Sequence, residues 1–350
     1  MQFGIILNTF NNSSSIKRSL NSVRNIKNCL KKNNIKIFVV LIDDHSCDNT
    51  FKIVQSYYKS GIIDKVIVNQ SNKGISFSRN LGISSCKNCD YITFLDGDDE
   101  LINSEIFKIN YIEDIIVFDF VRTGSDNNKN YTNFFNKNFN ISKSFLESYF
   151  IDYLQTPNQK SLFTTCWAKF YKVKTINKNL VFFDESMHVC EDTDFVFRFL
   201  KYCKKIKFVK ENAYCYTLPE SNNVTKTATF GFNRGFEQMF SFCKVVNEAE
   251  NLVRDNPVFK MKNYLKYHCL GSYMILYTIR LCSTIDTMLK FLKVYFFLKK
   301  TYQNKDLTQA IKIYKAKKNN ESKFLPFLIK QRMYFFATLY ALFLGKKRYF

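Results

Sequence analysis

Apolar residues fall in short blocks along the first two-thirds of the chain, and the spacing within the blocks switches back and forth between two patterns. "FGIILNTF", residues 3–10, is a nearly unbroken apolar run ending in polar residues, as in a buried strand. "SSSIKRSLNSVRNIKNCLKK" then sets Ile16, Leu20, Val23 and Cys29/Leu30 at helical spacing behind serines that can cap the helix. "IKIFVVLIDD" is β-branched and apolar without alternation, the pattern of a strand covered on both faces. "DNTFKIVQSYY" predicts a helix with Asp48 at its N-cap. "KVIVNQ" predicts a strand, "ISFSRNLGISSC" a short helix and "YITFLD" another strand. Strand–helix alternation at this spacing predicts a parallel, doubly wound α/β sheet.

The pattern continues with a strand in "IEDIIVFDFV", an Asn/Lys-rich loop over 123–140 and a helix near 142–154. A strand in "CWAKFYK", a helix opening at "CEDTDFVFRFLKYC" and a strand in "KIKFVKENAYCYT" follow. From about residue 230 the pattern is helical, aromatic and basic, so a domain boundary is expected at 228/229. No internal repeat is visible.

In doubly wound sheets, ligands bind outside the carboxyl ends of the strands. The polar residues of this chain cluster at those ends: Asn8 and Thr9 after the first strand, Asp43 and Asp44 after the second, Asp96 to Asp99 after a later one. "ITFLDGDDEL" is the sharpest of these, because four acidic residues in five positions repel unless something neutralises them. Mg²⁺ or Mn²⁺ would do so, since such ions take one or two protein carboxylates and complete their shell with water and substrate phosphates. The spacing is not that of an EF-hand, and a solvated acidic turn is the plain alternative.

Charge sharpens the division of the chain. The 350 residues carry 52 Lys and Arg against 30 Asp and Glu, and residues 231–350 alone hold 22 against 7. About two-thirds of the net charge of +22 therefore sits in the last third of the chain. The first residues, "MQFGIILNTF", enter a strand at once and show no signal-peptide pattern, so the 11 cysteines are read as cytosolic thiols. Cys86 and Cys89 form a C-x-x-C without a second pair at zinc spacing, and two plain thiols at a helix end are the simpler reading.

The succession "IILNTFNNSSSIKRSLNSV", "LIDDHSCDNT", "NKGISFSRNLGI", "FLDGDDEL", "CWAKFY" and "CEDTDFVFRF" resembles the family 2 inverting glycosyltransferases with a GT-A fold. The resemblance covers roughly residues 1–225, in the family's order. It implies a GT-A catalytic domain over 1–228, a mostly parallel Rossmann-like sheet, followed by a helical region over 229–350.

By that resemblance Thr9, Phe10, Asn11 and Asp44 line the nucleotide base pocket, with Asp44 accepting from a base N–H. Asn72, Gly74, Arg79 and Asn80 match the family's "N-x-G-x-x-x-x-R-N", in which Gly74 permits close backbone approach and Arg79 faces base or diphosphate. Asp96 is implied as a ribose and metal-shell contact and Asp98 as direct ligand of a Mn²⁺ or Mg²⁺ that bridges the donor diphosphate. Asp99 is a further donor- or acceptor-sugar contact. Asp192 is implied as the general base and Glu191 as a group that orients the acceptor; a first-turn acidic pair favoured by the helix dipole is the plain alternative. Trp167 is placed beside a donor or acceptor sugar, or else in the core.

The chain departs from the family where Asn8 replaces a common Pro and Thr217 an Arg after the "Y-x-Y" strand. A histidine metal ligand is not expected: past Asp192 there is only His268, in what reads as an outer helix. The "Q-x-x-R-W" of processive synthases is absent, which favours addition of one or a few sugars.

In the last third, "TMLKFLKVYFFLKK" and "FLPFLIKQRMYFFATLYALFLGKKRYF" interleave Phe, Tyr and Leu with Lys and Arg, and neither is an uninterrupted apolar run of the ~20 residues a bilayer span needs. An interfacial helix on an anionic leaflet fits, as does a helical cap on the catalytic domain. Nucleic acid is not expected as a partner, because no helix-turn-helix, zinc-finger or RNA-binding signature accompanies the charge. Taken with the resemblance, the expected enzyme moves a sugar from a nucleoside diphosphate, UDP for preference, to a glycan or lipid-linked glycan. Its setting would be the inner face of the cytoplasmic membrane, in capsule, polysaccharide or lipo-oligosaccharide synthesis. A nucleotidyltransferase of similar fold lacks its Gly-rich phosphate loop here. A non-catalytic glycan- or nucleic-acid-binding protein would hold no metal at the acidic turn.

Overall fold

A single mixed sheet carries the first part of the chain. In this computed structural model, residues 1–124, 129–157, 160–218, 235–262, 264–316 and 322–349 are described. The chain separates into two compact units, Met1–Ser142 with Leu162–Ala228, and Lys143–Ser161 with Thr229–Phe350. Residues 143–161 are read from sequence as part of the first region, but they group with the helical unit.

In the first unit β1 (Gln2–Thr9), β2 (Lys36–Asp43), β3 (Lys65–Val68) and β4 (Tyr91–Asp96) lie parallel in the order β3-β2-β1-β4. Helices α1 (Ile16–Leu30), α2 (Thr50–Lys59) and α3 (Ile75–Ser85) connect them. The apolar runs of β1 and β2 are buried as their lack of alternation requires, with Ile5, Ile6, Leu7, Val39, Val40 and Leu41 fully covered. The two-residue β5 (Glu100–Leu101) follows β4 directly.

Beyond β4 the sheet changes direction. β6 (Ile115–Thr123) and β10 (Ile206–Thr217) are parallel to each other, while β9 (Lys169–Lys172) runs antiparallel between β4 and β6. The Asn/Lys-rich stretch after β6 is not all loop: β7 (Lys129–Tyr131) pairs with β6, and β8 (Phe139–Ile141) pairs with β10. Such short, polar edge pieces carry too few apolar residues for periodicity to register. Helices α5 (Val173–Asn179) and α6 (Glu191–Leu200) complete the unit.

The second unit is helical: α4 (Lys143–Gln155), α7 (Gly235–Val253), α8 (Pro257–Met261), α9 (Leu265–Ser283), α10 (Met288–Thr301), α11 (Lys305–Ile313), α12 (Phe324–Lys330) and α13 (Tyr334–Tyr349). Helix α9 is its axis, packed by α4, α7, α10, α11 and α13. His268 is buried within α9 rather than on an outer helix. Helix α13 buries Ala337, Thr338 and Ala341. A Cβ on Gly345 would stand 2.7 Å from Cβ of Ser283 and 2.9 Å from the Ile279 carbonyl, so α13 lies flush on α9. Helix α13 is thus an integral layer of this unit. No described helix is long and apolar enough to cross a membrane.

Candidate functional site

Parallel register brings the polar strand ends together. Asn8 pairs with Ile42 on one side and Asp96 on the other, and Thr9 pairs with Asp43. The Asn8 amide is buried and has no hydrogen-bond partner among the described residues. The turn after β1 is braced onto the turn after β2. The Asn11 N–H donates to Ser46 Oγ at 2.9 Å, and its side-chain Oδ1 accepts from the Cys47 N–H at 2.8 Å. Asn11 takes a left-handed backbone, φ 52°, which an asparagine tolerates. Phe10, next to it, is 44% exposed, a large ring with no packing reason to face solvent.

Asp44 is buried beneath the loop that precedes α3. Its Oδ1 accepts from Asn69 Nδ2 at 2.7 Å and from the Lys73 N–H at 2.8 Å; its Oδ2 accepts from the Gly74 N–H at 2.8 Å. Gly74 reaches this position at φ 91°, closed to most side chains. A carboxylate offers about four acceptor directions, so Asp44 has one left for a ligand N–H. Thr9 is buried, with its Oγ1 bonded to Asn12, and Asn72 stands exposed on the surface.

The acidic turn after β4 separates its carboxylates by environment. Asp98 is exposed, whereas Asp99 is buried. Asp99 accepts from the Thr217 N–H at 2.8 Å and from Tyr214 Oη at 2.7 Å, and Tyr214 Oη in turn accepts from the Asp96 N–H at 3.3 Å. Both Asp99 oxygens are therefore engaged in tying the turn to β10. Burial, with Asp98 and Asp96 beside it, pushes the Asp99 carboxyl well up. Ser15, expected to cap α1, makes no side-chain cap bond; its hydroxyl instead donates to the Gly97 carbonyl of this turn at 3.1 Å. Arg18 reaches the same turn, donating to the Asp98 carbonyl and, at 3.0 Å, to Thr217 Oγ1. A cation thus lies at Thr217 despite the missing arginine there.

Arg79, buried on α3, is the hub of the site. Its Nη2 meets Asp96 Oδ1 at 3.1 Å, and its Nη1 meets Glu191 Oε1 at 3.3 Å and Asp192 Oδ1. Burial alone would lower the pKa of this guanidinium, but the surrounding charges, Asp192 foremost, hold it well above its usual value. The sequence resemblance implies a contact with base or diphosphate; the structure shows the cation occupied by carboxylates.

Helix α6 opens with Glu191, Asp192 and Asp194, as its dipole favours. Only Asp194 is used internally, paired with Arg198 at 2.6 Å. Glu191 and Asp192 instead face Arg79, and Asp192 Oδ2 accepts from the Cys166 N–H at 3.2 Å. Burial and the neighbouring Asp192 charge raise the Glu191 carboxyl to about 7, with Arg79 opposing. Burial likewise lifts Asp96 to about 6 against the pull of Arg79.

Trp167 is buried, stacked on Tyr214 at 4.7 Å and on Tyr216 at 5.5 Å and edge-on to Phe120 at 4.7 Å. Its ring holds β10 in place. Lys169, two residues on, is a buried cation that pattern reading passes over: its Nζ donates to Thr165 Oγ1 and to the Trp167 carbonyl, both at 3.3 Å. Burial lowers it to about 7, against the attraction of Cys166 and Asp192. The detectable signal was a lysine inside an aromatic strand.

No cluster of three His, Cys, Asp or Glu side chains suited to a metal occurs among the described residues. Asp96 and Asp98 offer two carboxylates from one turn, the number a Mg²⁺ or Mn²⁺ shared with substrate phosphates takes. The two residues fit such an ion.

The sequence model of the family described as Glycosyl transferase family 2 matches residues 4–179, half of the chain. The chain belongs to that family. It is a glycosyltransferase, with a GT-A-like α/β domain and a helical C-terminal region. Among curated relatives, the poly(ribitol-phosphate) β-N-acetylglucosaminyltransferase TarP of Staphylococcus aureus is 24% identical over 279 residues, 77% of each chain. The minor teichoic acid biosynthesis protein GgaB of Bacillus subtilis is 26% identical over 271 residues, 73% of this chain and 28% of that protein. Among solved structures, S. aureus TarS 1-349 in complex with UDP-GlcNAc superposes with a TM-score of 0.63 at 16% identity, over 99% of this chain and 92% of that one. That likeness extends to the fold.

Proposed function

We propose that this transferase moves a hexose or N-acetylhexosamine from a UDP-linked donor, with inversion, to a hydroxyl of a surface glycan or teichoic-acid-type polymer. Its proposed place is the inner face of the cytoplasmic membrane. The observation that carries this reading is the Arg79 junction, where one buried cation holds the acid ending β4 and the two acids opening α6. The names of the relatives support the acceptor class, and the UDP-GlcNAc bound to TarS supports the donor.

Asp192 is the proposed general base. One of its oxygens is held by Arg79 and the other by the Cys166 N–H, which orients the carboxylate. It takes the proton of the acceptor hydroxyl as that oxygen attacks the anomeric carbon; the bond to the UDP oxygen breaks on the opposite face, and UDP leaves with the electron pair. Positioned bases of this kind contribute ~10²–10⁴-fold in rate. Glu191, beside it, orients the acceptor. Asp44 accepts from the uracil N–H with its remaining acceptor direction, and the exposed Phe10 ring covers the base. Asp96 and Asp98 would hold a Mn²⁺ or Mg²⁺, which when bound neutralises the charge of the departing diphosphate. Asp99 serves this site by bracing the turn rather than by touching sugar.

Incubation of the full chain with a panel of UDP-, GDP- and dTDP-sugars, with and without Mn²⁺, tests the reading by mass spectrometry of released nucleotide and of a polyol-phosphate acceptor. Metal-dependent turnover of a UDP-sugar is expected. Turnover of none, or only of donors other than UDP-sugars, would overturn it.

A further inference from the structure

Helices α10 and α13 expose large apolar side chains where a water-soluble face would carry polar ones. On α10 these include Met288, Leu292 and Phe296, 74%, 40% and 60% exposed, beside Leu289; on α13 they include Phe336, Leu339 and Phe343, 56%, 43% and 61% exposed, beside Phe335. Within each helix the three fall within about 100° of the helical wheel, so each presents one apolar face. The two faces adjoin. Phe335 of α13 packs edge-on against Phe291 of α10 at 5.4 Å, and a groove between the helices is lined by Met288 and Leu339. Together they form one continuous surface.

The two helices themselves carry charge of a single sign. Helix α10 contains four lysines and no acid, and α13 contains no acid either. Lys293 and Lys299 are exposed on α10 and Lys346 on α13. Among the described residues lining the groove the acid is Asp286, which is already paired with Lys290 at 3.2 Å. A self-complementary contact between two copies would set these lysines against one another with no carboxylates to answer them. An anionic lipid surface supplies the opposite charge, lets phenylalanine and leucine enter the acyl boundary, and lets the lysine stems reach up to the headgroups.

We infer that the joint α10–α13 face is a docking surface for an anionic lipid leaflet, on which the helical unit lies without crossing. The inference gives a physical basis for the membrane-face setting proposed above. It is measured without donor or acceptor, so its failure would leave the proposed sugar transfer standing.

The test uses the full chain and vesicles of phosphatidylcholine alone or mixed with phosphatidylglycerol. Because α13 is packed flush on α9, its removal would damage the unit, so surface variants are used instead. The native chain should co-sediment with the anionic vesicles, weakly or not at all with the neutral ones, and less as salt rises. A lysine near such a surface is worth about fivefold in partitioning. Lys293→Glu with Lys299→Glu should therefore weaken binding by about tenfold or more, and Phe296→Asp with Phe343→Asp should abolish it, with unchanged melting temperatures. Three outcomes would each overturn the inference. The native chain could stay in the supernatant, both variant pairs could bind as the native chain does, or sedimentation analysis could show a dimer that the same substitutions dissociate.

Discussion

Arg79 on α3 donates to Asp192 at the start of α6, 113 residues further along the chain. The same guanidinium also bonds Asp96 and Glu191, so three acids from two distant segments share one buried cation. This junction decides how substitutions in the site should behave.

Arg79→Met leaves three carboxylates crowded without their counter-charge. Removing one partner of a buried ionic cluster costs about 3–5 kcal/mol. The loss should be largest at pH 8 and smaller at pH 5, where Glu191 and Asp96, already raised to about 7 and about 6, accept protons. Chemical denaturation at the two pH values measures it. Equal destabilisation at both would mean that the carboxylates are not what Arg79 holds.

Glu191→Gln should change the pH dependence of stability. A carboxyl at about 7 in the folded chain, against an ordinary value of 4.5, binds its proton more tightly when folded. Its contribution is therefore fully present below about 4.5 and lost as pH rises through about 7. The native chain should lose stability across that window, and the glutamine variant should lose less. Parallel curves for the two proteins in thermal melts from pH 4.5 to 8 would contradict this.

Asp98→Asn should remove metal-dependent donor binding and leave the fold intact, because this carboxylate is exposed and its loss relieves repulsion within the turn. Titration calorimetry with UDP and Mn²⁺ reads the result. Unchanged affinity would refute the metal assignment.

Asp192→Asn should bind donor near normally, since the amide keeps one oxygen for Arg79, yet transfer should fall by ~10² or more. Single-turnover transfer with saturating UDP-sugar separates the two effects. Transfer within about threefold of native would place the base elsewhere.

Much of this was written locally. The unbroken apolar runs of β1, β2 and β4 announced buried parallel strands, and their polar ends announced the edge of the sheet where Asn8, Thr9, Asp43 and Asp96 come together, because side chains at strand termini need only the strand itself to be placed. The ordered motifs carried the family, and the acids of the "DGDDE" and "CEDTD" stretches were visible as carboxylates gathered at a strand end and at a helix start. Pairing across distance was not legible. Nothing near Arg79 in sequence says that it meets Asp192, and nothing in "DGDD" says that Asp98 faces solvent while Asp99 is bonded to Tyr214 and Thr217. Neither the burial of Lys169 nor the arrival of Arg18 beside Thr217 has a local signature. In the last third, the composition announced apolar and basic helices, but only packing chose which faces of α10 and α13 are spent on the helical core and which remain exposed. Periodicity reports what one element does to its own side chains. The value of a charge or a ring depends on the dielectric and the neighbours that the folded chain assembles around it, and those come from residues a hundred positions away.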